Sequence, residues 1–536
     1  MTPVTLFAVA FLVRLAVGAL FAGPAYPDSY YYVNVAQQLA AGNGFQVDYL
    51  WSFVDVGGRL PSEPDLPVPS NGHWMPLASL VQVPVIWALG ATPLAFGLPF
   101  WLAGAAAAPL TWAIGRDAGL PSMAALTGGL LVAVPAGMTP FLSQPDNFGL
   151  FMPLGAMALW LCARGLRGDR RAFVVGGLVV GLATLARTDG VLLGVPFALA
   201  AAVDLRRRGI PRRIGLAAAA ACALLFALVV APWVVRQLDV FGTLSPSAAS
   251  GRILWISDIS QLHSISGPTP TPATLLEGGL GALLASRVDG LLAALGLFAF
   301  LPLAVVLAPF ALLGAWVLRH DPDFAPFLIY AICLFGASAL LFAVHVRSGT
   351  FIHSAVALLP HTFLLVMTGI ASAVGWIARR RATWDAQRAP AFFMAGALLV
   401  AVLAAALQTS ITTQSWAAQR AVQTRLAEGL ASAGGGERLA ASDAGAFRYL
   451  SGHPGIVTPS DPLPVIEQAL RAYDVRWLAL ESRSIVPALV PVLVGDERPA
   501  WLSGPLLTVA GSGAGDPPAG ALYAVCLGED LSRCSP

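Results

Sequence analysis

The sequence predicts a mostly α, polytopic transmembrane helix bundle followed by a small extracytoplasmic α/β domain. Three observations lead there. Of 536 residues, 57% are hydrophobic and only 11% charged. The apolar residues gather in repeated stretches close to the length, about 20 residues, that a helix needs to cross a bilayer. Beyond residue 409, glycine, serine, proline and charge return. This composition excludes a soluble protein. The formal net charge is +2, and every basic residue apart from histidine is an arginine. The placement of the arginines therefore matters more than their sum, and the balance implies no nucleic-acid partner.

Taken in order, the first apolar stretch, 3–22, has no basic leader region and no cleavage site, so it reads as a retained helix. Residues 24–45, PAYPDSYYYVNVAQQLAAGNGF, follow it directly. Val33, Ala36, Leu39 and Ala40 recur at helical spacing, Asp28 and Ser29 suit a helix start, and Gly42 and Gly44 suit its end. The stretch predicts an amphipathic helix on the bilayer surface with Asp28 at the interface. Residues 76–90 are apolar but short, which suits a re-entrant or interfacial helix. Further spans are expected near 93–115, 121–140, 147–163, 172–187, 189–204, 214–235, 290–318, 324–345, 351–377 and 391–408.

Arginine clusters at 164–171, 206–213 and 379–388 mark the cytoplasmic loops. Parity then places 141–146, 187–190, 237–289, 346–350 and the tail outside. This amounts to about eleven crossings, amino terminus in and carboxyl terminus out. The expected division is a transmembrane domain, 1–408, and an extracytoplasmic α/β domain, 409–536, with a helix near 463–472, a strand at Val475–Leu480 and glycine-rich loops at 432–437 and 511–519. Cys162, Cys222 and Cys333 fall in apolar spans; Cys526 and Cys534 lie in the tail, where an oxidising compartment would allow them to pair. The chain has no P-loop, no nucleotide-binding fingerprint and no internal repeat.

On this topology the polar residues that interrupt apolar sequence share the outer face: Asp28, His73, Asp146, Arg187, Asp189, Arg236, Arg347 and His353. Singly, the acids could cap helices and the arginines could reach back to the interface. Together they point to function, because ionisable groups at a membrane are costly. Two carboxylates and several arginines suit transfer from a donor with an anionic leaving group. An acid takes the proton of an incoming hydroxyl or holds a divalent cation, while the planar guanidinium matches phosphate oxygens. A lipid-linked phosphate needs no nucleotide motif.

In this order, the acid after the first span (PDSYYYVNVAQQLAAGNGF), NGHWMPL, SQPDNFGLF, TLARTDG and HVRSGTFIHSAVALLP resemble the polytopic glycosyltransferases of the membrane-embedded C-type fold. The resemblance is particularly to the group of protein O-mannosyltransferases and bacterial lipid A aminoarabinose transferases, over most of 1–370. The resemblance implies polyprenyl-phosphate sugar donors and, in some members, a divalent metal ion. It assigns Asp28 as catalytic base or metal ligand and Asp146 as a second catalytic acid. Ahead of the proline of the second segment that family often has a lysine on donor phosphate; here HWMP offers His73 instead. Arg187 keeps the charge of a turn that is often lysine.

The expectation is therefore a glycosyltransferase of a bacterial plasma membrane, moving a hexose or pentose from a lipid phosphate to a lipid, glycan or protein acceptor on the extracytoplasmic face. Asp28 and Asp146 are catalytic, and Arg187, Arg347 and His73 bind donor phosphate. The loop 237–289, with Trp255, Asp258 and His263, closes over the acceptor. The rival readings are a secondary transporter, which would show inverted repeats and mid-depth charges, and an inactive scaffold of the same fold.

Overall fold

The computed structural model describes residues 2–206, 212–381, 384–385, 388–433, 436–511, 513 and 515–526. Arg207 and Arg208 of one arginine cluster, parts of both glycine-rich loops and Cys534 lie outside the described residues. The chain divides into two compact units. The first contains Met1–Gly23, Trp74–Pro246 and Leu284–Thr413; the second contains Pro24–His73, Ser247–Leu283 and Gln414–Pro536.

The first unit is a polytopic helix bundle. Among the described residues of the chain, seven helices of at least 18 residues are apolar enough to cross a membrane. Five shorter apolar helices accompany them, among them Pro3–Gly18, Ala308–Val317 and Ala325–Leu340. The stretch 76–90 forms two short helices, Leu77–Leu80 and Val83–Leu89. Small residues let the helices approach closely, as lipid-facing bundles require. The contact between Ala308–Val317 and Leu359–Ala378 is reciprocal: a Cβ at Gly314 would lie 1.9 Å from the Leu365 carbonyl oxygen, and one at Gly369 would lie 2.0 Å from that of Phe310.

Two expected spans are interrupted. The stretch 121–140 is helical only over Ser122–Ala133, because Pro135, Pro140 and Pro145 follow in quick succession and exclude the preceding residues from helical geometry. The stretch 290–318 is two helices, Gly279–Phe300 and Ala308–Val317. Leu301 precedes Pro302, and Ala304 and Val305 adopt positive φ of 46° and 61°. The interruptions serve each other: the Gly137 N–H donates to the Leu301 carbonyl at 2.8 Å. A Cβ at Gly137 would sit 2.9 Å from that oxygen, so the approach needs glycine. The buried Arg14 guanidinium closes the end of Ser122–Ala133, donating to the Val132 carbonyl at 3.2 Å, to that of Ala133 at 3.5 Å and to its own helix at Ala10.

The second unit is an α/β fold built on a six-stranded sheet. Its strands run in the order Tyr49–Leu50, Gly455–Val457, Arg438–Ala441, Val475–Glu481, Gly520–Val525, Leu502–Val509. The first four are parallel to one another, and Gly520–Val525 runs antiparallel to both of its neighbours, Val475–Glu481 and Leu502–Val509. Leu426 and Leu430, from the end of helix Arg388–Ala433, join Leu439, Phe447, Trp477 and Leu522 in its core. Residues 24–73 and 247–283 thus belong with the tail in this unit.

Helix Pro27–Ala40 begins with a capping box in which Ser29 Oγ accepts from the Tyr26 N–H at 3.2 Å. The helix is not one-sided: Tyr30, Tyr31, Tyr32, Val33, Asn34, Val35 and Ala36 are all buried. The polar members find partners. Asn34 donates to the Gly445 carbonyl at 3.0 Å, and Tyr31 Oη accepts from the Asn71 N–H at 2.6 Å. Cys526 is disulfide-bonded.

Replacing Gly314 or Gly369 by valine is expected to destabilise the bundle by about 1–3 kcal/mol, because both helices would have to part. Thermal unfolding of the purified protein in detergent measures it, and alanine at either position should fall between wild type and valine.

Candidate active site

The irregular stretch between helices Ser122–Ala133 and Phe148–Leu166 is buried nearly throughout and ends on Asp146, whose exposure is 0%. Trp101 Nε1–H holds the stretch by donating to the Ser143 carbonyl at 2.8 Å. Asp146 Oδ1 accepts from the Asn147 N–H, and its Oδ2 lies 3.1 Å from His353 Nε2. His353 stacks on Phe148, with ring centroids 3.9 Å apart and planes 18° from parallel, and its Nδ1 lies 2.9 Å from the Gly349 carbonyl.

That carbonyl can only accept, so Nδ1 carries a proton. A neutral ring would then turn the Nε2 lone pair on a carboxylate oxygen, acceptor against acceptor. The pair therefore holds one further proton, as imidazolium with carboxylate or as imidazole with carboxylic acid, unless a cation takes its place.

The next residue on the same short helix, Thr350–Ala355, serves a second pair. Arg187 Nε donates to Asp189 Oδ1 at 3.0 Å, and Arg187 Nη2 donates to Ser354 Oγ at 3.0 Å. Ser354 Oγ–H in turn donates to Asp189 Oδ2. The Arg187 guanidinium also lies 6.0 Å from the centre of the Phe151 ring. One turn of helix thus binds the acid of SQPD, residues 143–146, on one side and the arginine of TLARTDG on the other. Gly349 starts it at φ 101°, a conformation that only glycine adopts without strain. Arg347, two residues earlier, instead forms an exposed ion pair with Asp289, Nη2 to Oδ1 2.5 Å.

In the second unit, Asp28 lies in the first turn of Pro27–Ala40. Its charge reaches Asp443, the acid that caps helix Ala444–Ser451 by accepting from the Ala446 N–H at 3.0 Å. Burial raises the Asp443 carboxyl to about 6, the Ala446 N–H opposes the rise, and Asp28 adds to it. Burial first, and then Asp443, raises the Glu481 carboxyl to about 8. Neither acid stood out in the sequence, where each sits in an ordinary strand or cap setting. His73 lies against Trp51, with ring centroids 5.1 Å apart, and His263 meets the same indole edge-on at 6.1 Å. Burial pushes the His263 imidazole down to about 4. Trp255 is half-buried, its N–H donating to the Arg252 carbonyl at 3.0 Å. Asp258 caps the turn Ile259–Leu262.

The loop carrying these residues is fastened within its unit. Asp461 accepts from Ser264 Oγ, the Ile265 N–H and Ser266 Oγ at 2.7, 2.8 and 2.6 Å, and the Ser460 N–H donates to the His263 carbonyl at 3.2 Å. Asp28 and Asp146 belong to different units.

Asp443 and Glu481 hold protons in the folded chain at pH values where the unfolded chain has released them. Their contribution to stability is complete below the unfolded values, 3.8 and 4.5, and is lost as pH rises through about 6 and about 8. The unfolding midpoint should therefore lose stability from this source between about pH 5 and about pH 8, and Glu481→Gln should flatten that slope. A pH series of melting curves on both proteins measures it; identical slopes contradict the assignment.

The sequence pattern of the family described as dolichyl-phosphate-mannose-protein mannosyltransferase matches residues 76–233, under a third of the chain. No curated protein sequence matches it. In three dimensions the chain is similar to the crystal structure of ArnT from Cupriavidus metallidurans in the apo state, with a TM-score of 0.55 and 14% identity, covering 99% of this chain and 98% of that one. The structure of ArnT from the same organism bound to undecaprenyl phosphate gives a TM-score of 0.55 at 13% identity, covering 97% of each chain. The archaeal oligosaccharyltransferase AglB from Archaeoglobus fulgidus, in complex with an inhibitory peptide and a dolichol-phosphate, gives 0.46 at 12% identity, covering 89% of this chain and 69% of that one. The likeness to ArnT runs nearly end to end and is a likeness of fold, that of a polytopic membrane helix bundle.

Proposed function

We propose that the chain is a membrane glycosyltransferase that moves a sugar from a polyprenyl-phosphate donor to an acceptor on the extracytoplasmic face of a bacterial plasma membrane. The observation that carries this reading is the helical turn Thr350–Ala355, which joins a buried acid–imidazole pair, Asp146 and His353, to the Arg187–Asp189 pair. A fold shared with an ArnT solved with undecaprenyl phosphate supports the donor class. The disulfide at Cys526 supports an oxidising compartment for the second unit. On this reading the first unit is the transmembrane part and the second is extracytoplasmic.

The reaction is a displacement. An acceptor oxygen bonds to the anomeric carbon, the bond from that carbon to phosphate oxygen breaks, and the hydroxyl proton passes to a base. We assign the base to Asp28. Arg187 binds the phosphate, whose charge grows as it leaves. Arg347 and His73 stand behind it in this role: both arginines are paired with an aspartate, but the Arg347–Asp289 pair is exposed whereas Arg187 is mostly buried, and His73 packs on Trp51.

Asp146 and His353 fit a divalent cation as well as a proton. The Gly349 carbonyl fixes the Nδ1–H tautomer and aims Nε2 at the carboxylate, the outer-shell arrangement typical of metal-bound histidine. A cation there would stabilise the departing phosphate. Without one, the shared proton keeps the pair neutral overall and the turn in register.

With a polyprenyl-phosphate sugar and purified protein, Asp28→Asn is expected to lower turnover by about a hundredfold or more. Wild-type rates in Asp28→Asn would remove it from the mechanism. For the second pair, His353→Ala and Asp146→Asn should each cost about as much, and the double variant little more, because the two act as a unit. Activity abolished by a chelator and restored by manganese would assign the pair to a cation; indifference to the chelator would assign it to the proton.

A further inference from the structure

We propose that a cleft within the second unit, built around Arg252, is a subsite for an anionic group, phosphate or carboxylate, carried by the acceptor. The inference rests on the glycosyltransferase reading for its role and on the cleft's own chemistry for its ligand. Val54 and Gly58 form one wall, Ile253 and Ile256 the second, and the segment Gly267–Pro270 the third, with the Arg252 side chain among them.

The guanidinium lies on the Gly57–Gly58 turn. Both glycines have positive φ, 95° and 68°, and a Cβ at Gly58 would stand 3.1 Å from Arg252 Nη1. The turn therefore leaves the guanidinium room that a side chain at Gly58 would crowd. A second guanidinium reaches the third wall, where Arg59 Nη2 donates to Thr269 Oγ1 at 3.2 Å. Among the described residues, no carboxylate pairs with Arg252 or Arg59. Elsewhere in the unit Arg438, Arg448, Arg471 and Arg476 are each matched by an acid within 3.1 Å.

Three acids of the neighbouring segments take their hydrogen bonds elsewhere. Asp258 accepts from the Ser260 N–H and Oγ, Asp461 from the Ser264–Ser266 turn, and Asp55 from Trp51 Nε1–H. Two cations, hydroxyl and amide groups and apolar walls without a counter-acid make a site for an anion on a partly apolar molecule. The frame is fixed before binding, because Ser52 Oγ–H donates to the Leu262 carbonyl at 2.5 Å and Asp461 holds the turn beside it. Every residue that lines the cleft belongs to the second unit, whereas the donor phosphate is assigned to Arg187 of the first. That favours the acceptor over the donor as the source of the anion.

The test uses the full chain in neutral detergent. Calorimetric titration with methyl phosphate, with acetate and with methyl glucoside should show one or both anions binding, the tighter one naming the group, and no binding of the neutral sugar. Arg252→Gln should weaken the anion by about tenfold and Arg252→Lys by less, since it keeps charge but loses the fork. Arg59→Gln, an exposed substitution that leaves the fold intact, should also weaken it. Absence of anion binding, or equal binding by Arg252→Gln, overturns the site.

In transfer assays, Arg252→Gln should raise KM about tenfold for a phosphate- or carboxylate-bearing acceptor and leave kcat, the donor KM and a neutral acceptor unchanged. A raised donor KM instead overturns the assignment to the acceptor. Failure of wild type to transfer to any acceptor removes the glycosyltransferase reading, while the titration still decides whether the cleft binds anions.

Discussion

A main chain that leaves helical geometry among apolar helices must find partners for its amides inside the protein, because lipid offers none. The first unit meets this requirement at two breaks, 134–147 and 301–307, by turning them toward each other through Gly137 and Leu301. Arg14 takes the carbonyls freed at Val132 and Ala133, and Trp101 takes that of Ser143. Asp146 stands at the end of the repaired stretch. Its burial follows from the same geometry: a segment folded back into the bundle carries its acid with it, and the cost of that acid is offset by His353.

The helix Thr350–Ala355 is the converse case, a regular element that gathers irregular ones. Consecutive side chains of a helix diverge by about 100°, so His353 and Ser354 reach two different neighbours from one turn. Those neighbours, Asp146 and the Arg187–Asp189 pair, come from the starts of separate helices. A change at one is therefore felt at the other through fewer than two residues of backbone. The arrangement explains how residues that are individually ordinary helix-end polar groups come to act together.

Much of this was legible from residue type and order. The polytopic bundle, the α/β tail, the helix after the first span and the strand at Val475–Glu481 follow from apolar run length, proline and glycine placement and alternation. The interrupted spans were not legible, because Pro135 and Pro302 sit in stretches as apolar as any membrane helix, and hydropathy does not register a missing amide. The membership of 24–73 in the sheet was hidden for a different reason. Tyr49–Leu50 is only two residues long, and its partner lies at Gly455–Ile456. At the site, Asp146, Arg187, Asp189 and His353 could be picked out as polar residues in apolar sequence on one face, but not which of them would pair or that Ser354 would join them, since that depends on tertiary packing. The burial of Asp443 and Glu481 was equally invisible in a segment of mixed polarity.

The pairing of Tyr49–Leu50 with Gly455–Val457 bears on how the molecule is made. Synthesis proceeds from the amino terminus, so this short strand is translated long before the segment it will pair with exists. Until Gly455–Val457 is made, the early strand has an unsatisfied edge, and the outer member of the sheet waits for the neighbour it pairs with. Completion of the second unit is thus the closing event of biogenesis, and a ribosome that stops early leaves a product whose residues 24–73 have no sheet to join.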